Sequence, residues 1–341
     1  MKEKVTVIGF MGAGKTCYMA GVYDNMSTGL KNFTLVEPDV DMDYYLQTLW
    51  EAISDGKNRE WPVPNDDTKE FTFALCHNFS KIMEFGWYDY PGGALLDPGY
   101  GLMDEINGQL AESSCLLLMI NGESFGAEAA DREDYIRKVS RNLKKNGDLK
   151  AITKLSQLGL NQKLPPMAIV ITKSDLINDS WVPADLDDEQ AAALINETLS
   201  SIITTNFQSV FGIGDADQRP VMITAVTLGE GISEGADADP VNIEQPIAYA
   251  VLTMLCGYVA KARAAKQKNL KDQNARNTWL GRLIHGDEIA KLKGELEKMD
   301  REIAKFSADA QRLLDLFEED KWLYVNGEKT PLRDFFVNSL Q

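Results

Sequence analysis

Residues Lys4–Thr16 read KVTVIGFMGAGKT. The segment opens on a β-branched apolar run, Val5, Val7 and Ile8, with the composition of a buried strand. It continues as Gly9-Phe10-Met11-Gly12-Ala13-Gly14-Lys15-Thr16, which fits G-x-x-x-x-G-K-[ST]. In that pattern successive backbone N–H groups form a concave nest for phosphate oxygens, and the lysine reaches the outer phosphates. Glycine is needed where the backbone takes positive φ or approaches a phosphate with no Cβ in the way. Lys15 onward reads as a helix whose N-terminus aims its partial positive charge at the same anion. The Thr16 hydroxyl is then the inner protein ligand of Mg²⁺, which keeps its other positions for water and phosphate oxygens. Met11, Gly12, Ala13, Gly14, Lys15, Thr16 and Cys17 are the expected phosphate-binding residues.

Working outward, 341 residues suffice for one large core with an appendage, and two domains is the expectation. Hydrophobic residues at 44% and charged residues at 26% match a folded globular chain. A net charge of -17 argues against a protein built to hold nucleic-acid backbone. Cys17, Cys76, Cys115 and Cys256 lie far apart with no C-x-x-C pair, so neither zinc nor a disulfide framework is indicated. The chain enters its first strand without an apolar leader, and no run of 18 apolar residues occurs. The expected home is the cytoplasm.

Along the chain, the first helix is predicted to end near Ser27-Thr28-Gly29, with Gly29 as the left-handed stop. Phe33–Val36 reads as extended. Met42, Tyr45, Leu46, Leu49, Trp50 and Ile53 form one stripe of an amphipathic helix stopped at Asp55-Gly56, inside an insert spanning about 37–60. Glu70–Cys76 and Lys81–Tyr88 read as an antiparallel hairpin whose second strand ends in Asp89-Tyr90-Pro91-Gly92. Cys115–Ile120 and Met167–Thr172 are unbroken apolar runs, as in central strands covered on both faces. Helices are predicted at 102–111, 127–145, 149–158, 187–210 and 246–262, and Pro220–Ala225 as the last strand. Strands alternating with helices after one hairpin describe an α/β fold, a mostly parallel sheet wrapped by helices over residues 1–260. Residues 261–341 then form an α-helical tail: a basic linker, a heptad helix and a short terminal hairpin and helix.

Four motifs stand in one order at strand ends: the loop at 9–16, D-x-x-G at Asp89–Gly92, T-K-x-D at Thr172–Asp175, and Thr224-Ala225. Together they resemble the motifs of P-loop GTPases of the translation-factor and Ras-like superclass, across roughly residues 1–260. The resemblance implies GTP and GDP as ligands, with Mg²⁺. It gives Asp89 a role on the metal through water and the Gly92 N–H a role in sensing the γ-phosphate. Asp175 would accept hydrogen bonds from guanine N1–H and the exocyclic amine, which adenine does not match. Lys173 would lie along the base, and Ala225 would offer its N–H to the guanine oxygen. The threonine that closes over metal and γ-phosphate would be Thr68, with Thr34 as its rival. Lys15, Thr68 and Gly92 are thus the expected catalytic set, and Thr16, Thr68 and Asp89 the expected metal set.

Two departures qualify the resemblance. Gly93 stands where Ras-like proteins place the glutamine that orients the attacking water, and Met11 replaces a frequent glycine. Hydrolysis is therefore expected to be slow, or to use Asp97, Glu105, Gln109 or a residue from a partner. A nucleotide-gated scaffold with negligible turnover, or a P-loop ATPase or kinase, are the alternatives. In the tail, Ile289, Leu292, Leu296, Met299, Ile303, Phe306, Ala310, Leu313 and Phe317 make a strict heptad seam. It would pair in a parallel dimer, with an effector, or antiparallel with the helix at 246–270. Between 261 and 282 lie Lys261, Arg263, Lys266, Lys268, Lys271, Arg276 and Arg282. They read either as a solvated linker or as a contact for an anionic membrane.

Overall fold

The structure, a computed structural model, describes residues 3–63, 67–92, 103–159, 164–211, 219–276, 286–317 and 321–340. The chain forms two units, one of residues 1–250 and 322–330, the other of 251–321 and 331–341.

The first unit is organised on strands β1 (Glu3–Gly9), β2 (Phe33–Val36), β3 (Lys69–His77), β4 (Ser80–Asp89), β5 (Cys115–Asn121), β6 (Met167–Thr172) and β7 (Pro220–Ala225), with a late hairpin, β8 (Trp322–Val325) and β9 (Glu328–Pro331). They form one sheet in the order β2-β3-β4-β1-β5-β6-β7-β8-β9. The centre, β4-β1-β5-β6-β7, is parallel, while β2-β3, β3-β4 and β7-β8 pair antiparallel. The sheet is thus mixed rather than uniformly parallel. Parallel pairing puts the C-terminal ends of β1, β4, β5, β6 and β7 along one rim, where loops can converge on a ligand. Pro220–Ala225 is not the last strand: β8 lies alongside it with Met222 opposite Leu323. Asn326 and Gly327, both at positive φ, close that late hairpin as their residue types require.

Helices α1 (Lys15–Ser27), α2 (Val40–Ser54), α3 (Met103–Glu112), α4 (Arg132–Lys145), α5 (Asp148–Gly159) and α6 (Asp188–Asn206) follow the strands. β1, β5 and β6 are buried along nearly their whole length, as the unbroken apolar runs require. Gly29 takes φ 98 just past α1, in the role read for it. α2 begins earlier than its stripe, because the Asp39 carboxylate accepts from the N–H groups of Asp41 (3.0 Å) and Met42 (3.1 Å). Only Leu46, Trp50 and Ile53 of that stripe are buried, and Met42 stays 40% exposed. α4 starts at Arg132 rather than 127, since Asp131 caps it by accepting from Asp134 N–H at 2.8 Å. Asp187 and Gln190 form a reciprocal capping box on α6.

α7 (Gln245–Arg276) runs beyond the end expected at 262. By length and composition its stretch Gln245–Lys271 could cross a membrane, yet 56% of the apolar window is buried in the protein. In the second unit, α8 (Gly286–Leu313) carries the heptad seam and α9 (Leu332–Leu340) closes the chain. Tyr258 stacks on Phe306 with centroids 5.2 Å apart, Lys266 reaches Asp300, and Asn269 donates to Met299 Sδ at 3.9 Å. Rising numbers on α7 meet falling numbers on α8, so the two run antiparallel. Leu296, Ala310, Leu313 and Phe317 of the seam are buried. Ile289 and Leu292 lie where no side chain is described. The Arg263 guanidinium donates to Ser339 and Leu340 carbonyls, so Arg263 and Lys266 of the basic run are both engaged within the chain. α9 starts at Leu332, because Pro331 still belongs to β9.

Candidate functional site

The strand rim opens into a cavity of about 440 Å³, walled by loops from several parts of the first unit. At one end lies the turn between β1 and α1. Gly12 (φ 81) and Gly14 (φ 73) adopt left-handed conformations that cost glycine little, and Ala13 N–H donates to the Phe10 carbonyl at 3.1 Å. Gly9 is hemmed in, since a Cβ there would sit 2.8 Å from Met119 Cβ. Lys15 is only 8% exposed and its ammonium lies 3.3 Å from the Gly9 carbonyl. Burial pulls its pKa down, and the nearby Asp89 carboxylate opposes that. A cation already stripped of water and short of counter-charge is set up to gain from an arriving anion.

Beside it, Thr16 Oγ1 donates to Asp89 Oδ2 at 2.9 Å. The loop and the end of β4 thus place a hydroxyl and a buried carboxylate together, an all-oxygen pair suited to a hard divalent cation. Gly92 lies directly on the loop: a Cβ there would be 2.5 Å from Met11 Cα and 2.7 Å from Met11 N. No side chain fits at that point, so the glycine of D-x-x-G allows the two segments to touch. Cys17 lines the cavity as a neutral thiol, its pKa pushed up to about 11 by burial.

The other end is built around the tip of β6. Thr172 Oγ1 lies 2.9 Å from the Ala13 carbonyl and 3.1 Å from that of Ile120, stapling the glycine turn after β1 to β5 and β6. Lys173 takes φ 50, and its ammonium is 2.5 Å from Glu123 Oε1, which lowers the Glu123 pKa chiefly through that hydrogen bond. Asp175 Oδ1 accepts from Thr227 Oγ1 at 2.5 Å. The lining here is otherwise mostly apolar, with Leu176, Val226, Leu228, Ile232 and, from the segment after α2, Trp61, Pro62 and Val63, beside Ser233.

Most residues singled out in the sequence line this one space: Met11, Gly12, Gly14, Lys15, Thr16, Cys17, Asp89, Gly92, Thr172, Lys173 and Asp175. Ala13 is wholly buried beneath it. Thr224 turns away, its hydroxyl 3.0 Å from Gln245 Oε1, and Ala225 is still a strand residue pairing with Ile171. Neither lines the cavity; the next three residues do, because β7 carries its pairing through Ala225 and only then releases the chain. Thr68 does not reach the lining, and its buried hydroxyl has no hydrogen-bond partner among the described residues. Thr34 is tied into β2 opposite Cys76. Gln109 accepts from Lys4 Nζ at 3.1 Å, and neither it nor Glu105 lines the cavity. Gly93 and Asp97 lie outside the described residues.

No family profile matches the chain, and no curated protein is detectably similar to it in sequence. Three solved structures are similar in part. The Ski7 GTPase-like domain of S. cerevisiae, bound to GTP, is 16% identical with a TM-score of 0.34, over 66% of this chain and 43% of that one. The signal recognition particle receptor SRb-GTP/SRX complex from Chaetomium thermophilum is 16% identical with a TM-score of 0.32, over 68% and 93%. The sup35 structure complexed with GDP is 12% identical with a TM-score of 0.31, over 69% and 39%. The chain therefore spans less than half the length of two of these three.

Four contributors to the site escaped the sequence reading. Gly122 follows β5 at a point where a Cβ would be 2.2 Å from the Thr172 carbonyl oxygen and 2.3 Å from that of Lys173. A glycine just past the apolar run Cys115–Ile120 was the available signal. Glu123 came with it, one residue on. Thr227 lies two residues beyond the pair expected to read the base. Trp61, between a helix stop and Pro62, carried no motif and became visible only when the segment was seen to face the cavity.

Proposed function

We propose that this chain is a guanine-nucleotide-binding switch of the cytoplasm that hydrolyses GTP slowly, or only when a partner assists. The observation that carries the reading is one cavity with two kinds of end. A glycine turn with a buried lysine and the Thr16–Asp89 pair lies at one, and a carboxylate aligned by a hydroxyl lies at the other. The first end suits phosphates and the second suits a base that offers two adjacent donors, as guanine does.

In this reading the N–H groups of the loop and the Lys15 ammonium hold the β- and γ-phosphates. Thr16 and Asp89 would hold Mg²⁺, whose chemistry there is to neutralise charge on the phosphate oxygens. Asp175 accepts from the guanine N1–H and amine, and Thr227 keeps that carboxylate aimed. Gly92, seated on Met11, is the contact through which a γ-phosphate would displace the segment after β4. A second reading, a nucleotide-gated scaffold with negligible turnover, has specific support: Gly93 occupies the usual glutamine position, and Glu105 and Gln109 stay off the cavity wall. The tail's seam is engaged along α7, so any self-association or effector contact would use another face.

Calorimetry with GTP, GDP and ATP in the presence of Mg²⁺ tests the base assignment: guanine nucleotides are expected to bind at least ~100-fold more tightly than ATP. Equal or tighter ATP binding sinks it. Phosphate release across protein concentrations separates the two readings, since bound GTP with no turnover at any concentration leaves the scaffold.

A further inference from the structure

Part of the cavity wall comes from two segments far apart in sequence, and the Arg59 side chain reaches from one to the other. After α2 the chain turns through Gly56–Asn58, and Glu60 N–H returns to the Ala52 carbonyl at 2.9 Å. Arg59 thereby points away from its own segment. Its guanidinium donates to the Ile53 carbonyl behind it and to the carbonyls of Ile232 and Ala236, the latter at 2.6 Å. Those last two acceptors sit on the excursion between Leu228 and Val241. That excursion closes on itself through Asp239 N–H to Leu228 O (2.8 Å) and Val241 N–H to Thr227 O (3.0 Å). The guanidinium also lies 5.4 Å from the centroid of the Trp61 ring.

Both segments line the cavity, one through Trp61, Pro62 and Val63, the other through Leu228, Ile232 and Ser233. Trp61 is 50% exposed and Val63 83%, so burial in the core does not hold this strap in place. The fork of Arg59 does. A planar guanidinium meeting carbonyls from two segments is geometry that lysine cannot reproduce.

We propose that Arg59 is a positioning residue that sets how long a nucleotide stays bound. It touches no part of the phosphate end. It bolts the strap at 61–63 to the excursion that follows the base-aligning Thr227, so base release requires the strap and excursion to part and Arg59 to give up its carbonyls. The proposal rests on the nucleotide-binding reading above and adds to it the control of release.

The test is dissociation of a fluorescent GDP analogue from the full chain, chased with unlabelled GDP, for wild type, Arg59→Ala and Arg59→Lys. Loss of charge-assisted hydrogen bonds is expected to speed release by ~10- to 100-fold in Arg59→Ala. Arg59→Lys is expected to recover less than half of that on a logarithmic scale. Association rates should stay within about threefold, and the unfolding midpoint of the nucleotide-free chain within about 5 °C of wild type. Release within twofold of wild type in Arg59→Ala overturns the proposal, as does full recovery by lysine. Midpoints more than about 10 °C below wild type in both variants also overturn it, because Arg59 then holds the fold and not the ligand. A wild-type chain that binds no analogue fails differently, by removing the nucleotide site itself.

Discussion

At the end of the cavity proposed to take phosphates, consecutive residues supply turn, lysine and hydroxyl, and one distant residue, Asp89, completes the set. The end proposed to take the base is lined by Glu123, by Lys173, Asp175 and Leu176, by Val226–Leu228, by Ile232–Ser233 and by Trp61–Val63, five segments in all. The phosphate end works through backbone conformation, with Gly12 and Gly14 in the left-handed region. The base end works through side-chain pairs, Thr227 on Asp175 and Lys173 on Glu123. Phosphates are alike in every nucleotide, so one local backbone device serves them all. A base is distinguished only by where its donors lie, which demands side chains brought from several strands.

Removing the lysine puts the largest strain on this contrast. Lys15→Met is expected to weaken GTP and ATP alike by ~100-fold or more in calorimetry, because charge-assisted contacts to phosphate are lost with no regard to the base. Its effect on stability has the opposite sign. Burial depresses the Lys15 pKa, so the folded state bears a cost for the charge that methionine does not carry, and the nucleotide-free unfolding midpoint should hold or rise. Binding within threefold of wild type would mean that the backbone nest alone suffices.

A smaller effect, confined to one end, is expected from Thr227→Val. The shape is kept and the hydroxyl donor to Asp175 is lost, so GTP affinity should fall ~10-fold while ATP affinity stays unchanged. An equal loss for both nucleotides would show that Thr227 supports the loop fold instead of aligning the carboxylate.

The same contrast decides what could be read in the sequence. β1, its glycine turn, the hairpin that ends at Asp89, and the buried runs of β5 and β6 were legible because each is local: composition and spacing within a dozen residues specify it. Asp175 was legible through a motif. Thr224 and Ala225 were misplaced because the point where β7 releases the chain depends on pairing with Ile171, a contact between strands. Trp61, Thr227 and Glu123 remained hidden for the same reason, since each matters through what faces it across the cavity. The terminal hairpin is expected from the sequence but its place beside β7 is not, for a turn such as Asn326-Gly327 fixes register within a hairpin and says nothing of which edge the hairpin joins. α4 illustrates the remaining gap: the sequence predicts a helix over 127–145, while the Asp131 carboxylate caps it so that it starts at Arg132.

The smallest predicted effect asks whether the two ends share a support. Ser124, next to Glu123 of the base end, donates to Asp148 Oδ2 at 3.0 Å, and Asn146 Nδ2 donates to Ser124 Oγ at 2.9 Å. Gly147 (φ 92) sits between these residues, and a Cβ on it would be 3.1 Å from the ring of Phe10, in the phosphate loop. Asp148 is 4% exposed, and burial raises its pKa to about 6, with the Ser124 bond opposing. In the unfolded chain it titrates near 3.8, so between about pH 4 and 6 the folded state holds a proton that the unfolded state has released. The contribution of this group is therefore most favourable below that window and is lost as pH rises through about 6. Asp148→Asn keeps an acceptor for Ser124 and removes the buried charge. It is expected to stabilise the protein by about 1–2 kcal/mol at pH 7.5, with the gain falling to roughly half near pH 5 and toward zero near pH 4, read as unfolding midpoints at pH 7.5 and pH 4. A gain of equal size at both would assign the effect to something other than ionisation. Nucleotide affinity measured over the same range then discriminates: a pH dependence common to GTP and ATP marks the network as a support beneath Phe10, whereas one seen with GTP alone transmits through Glu123 to the base.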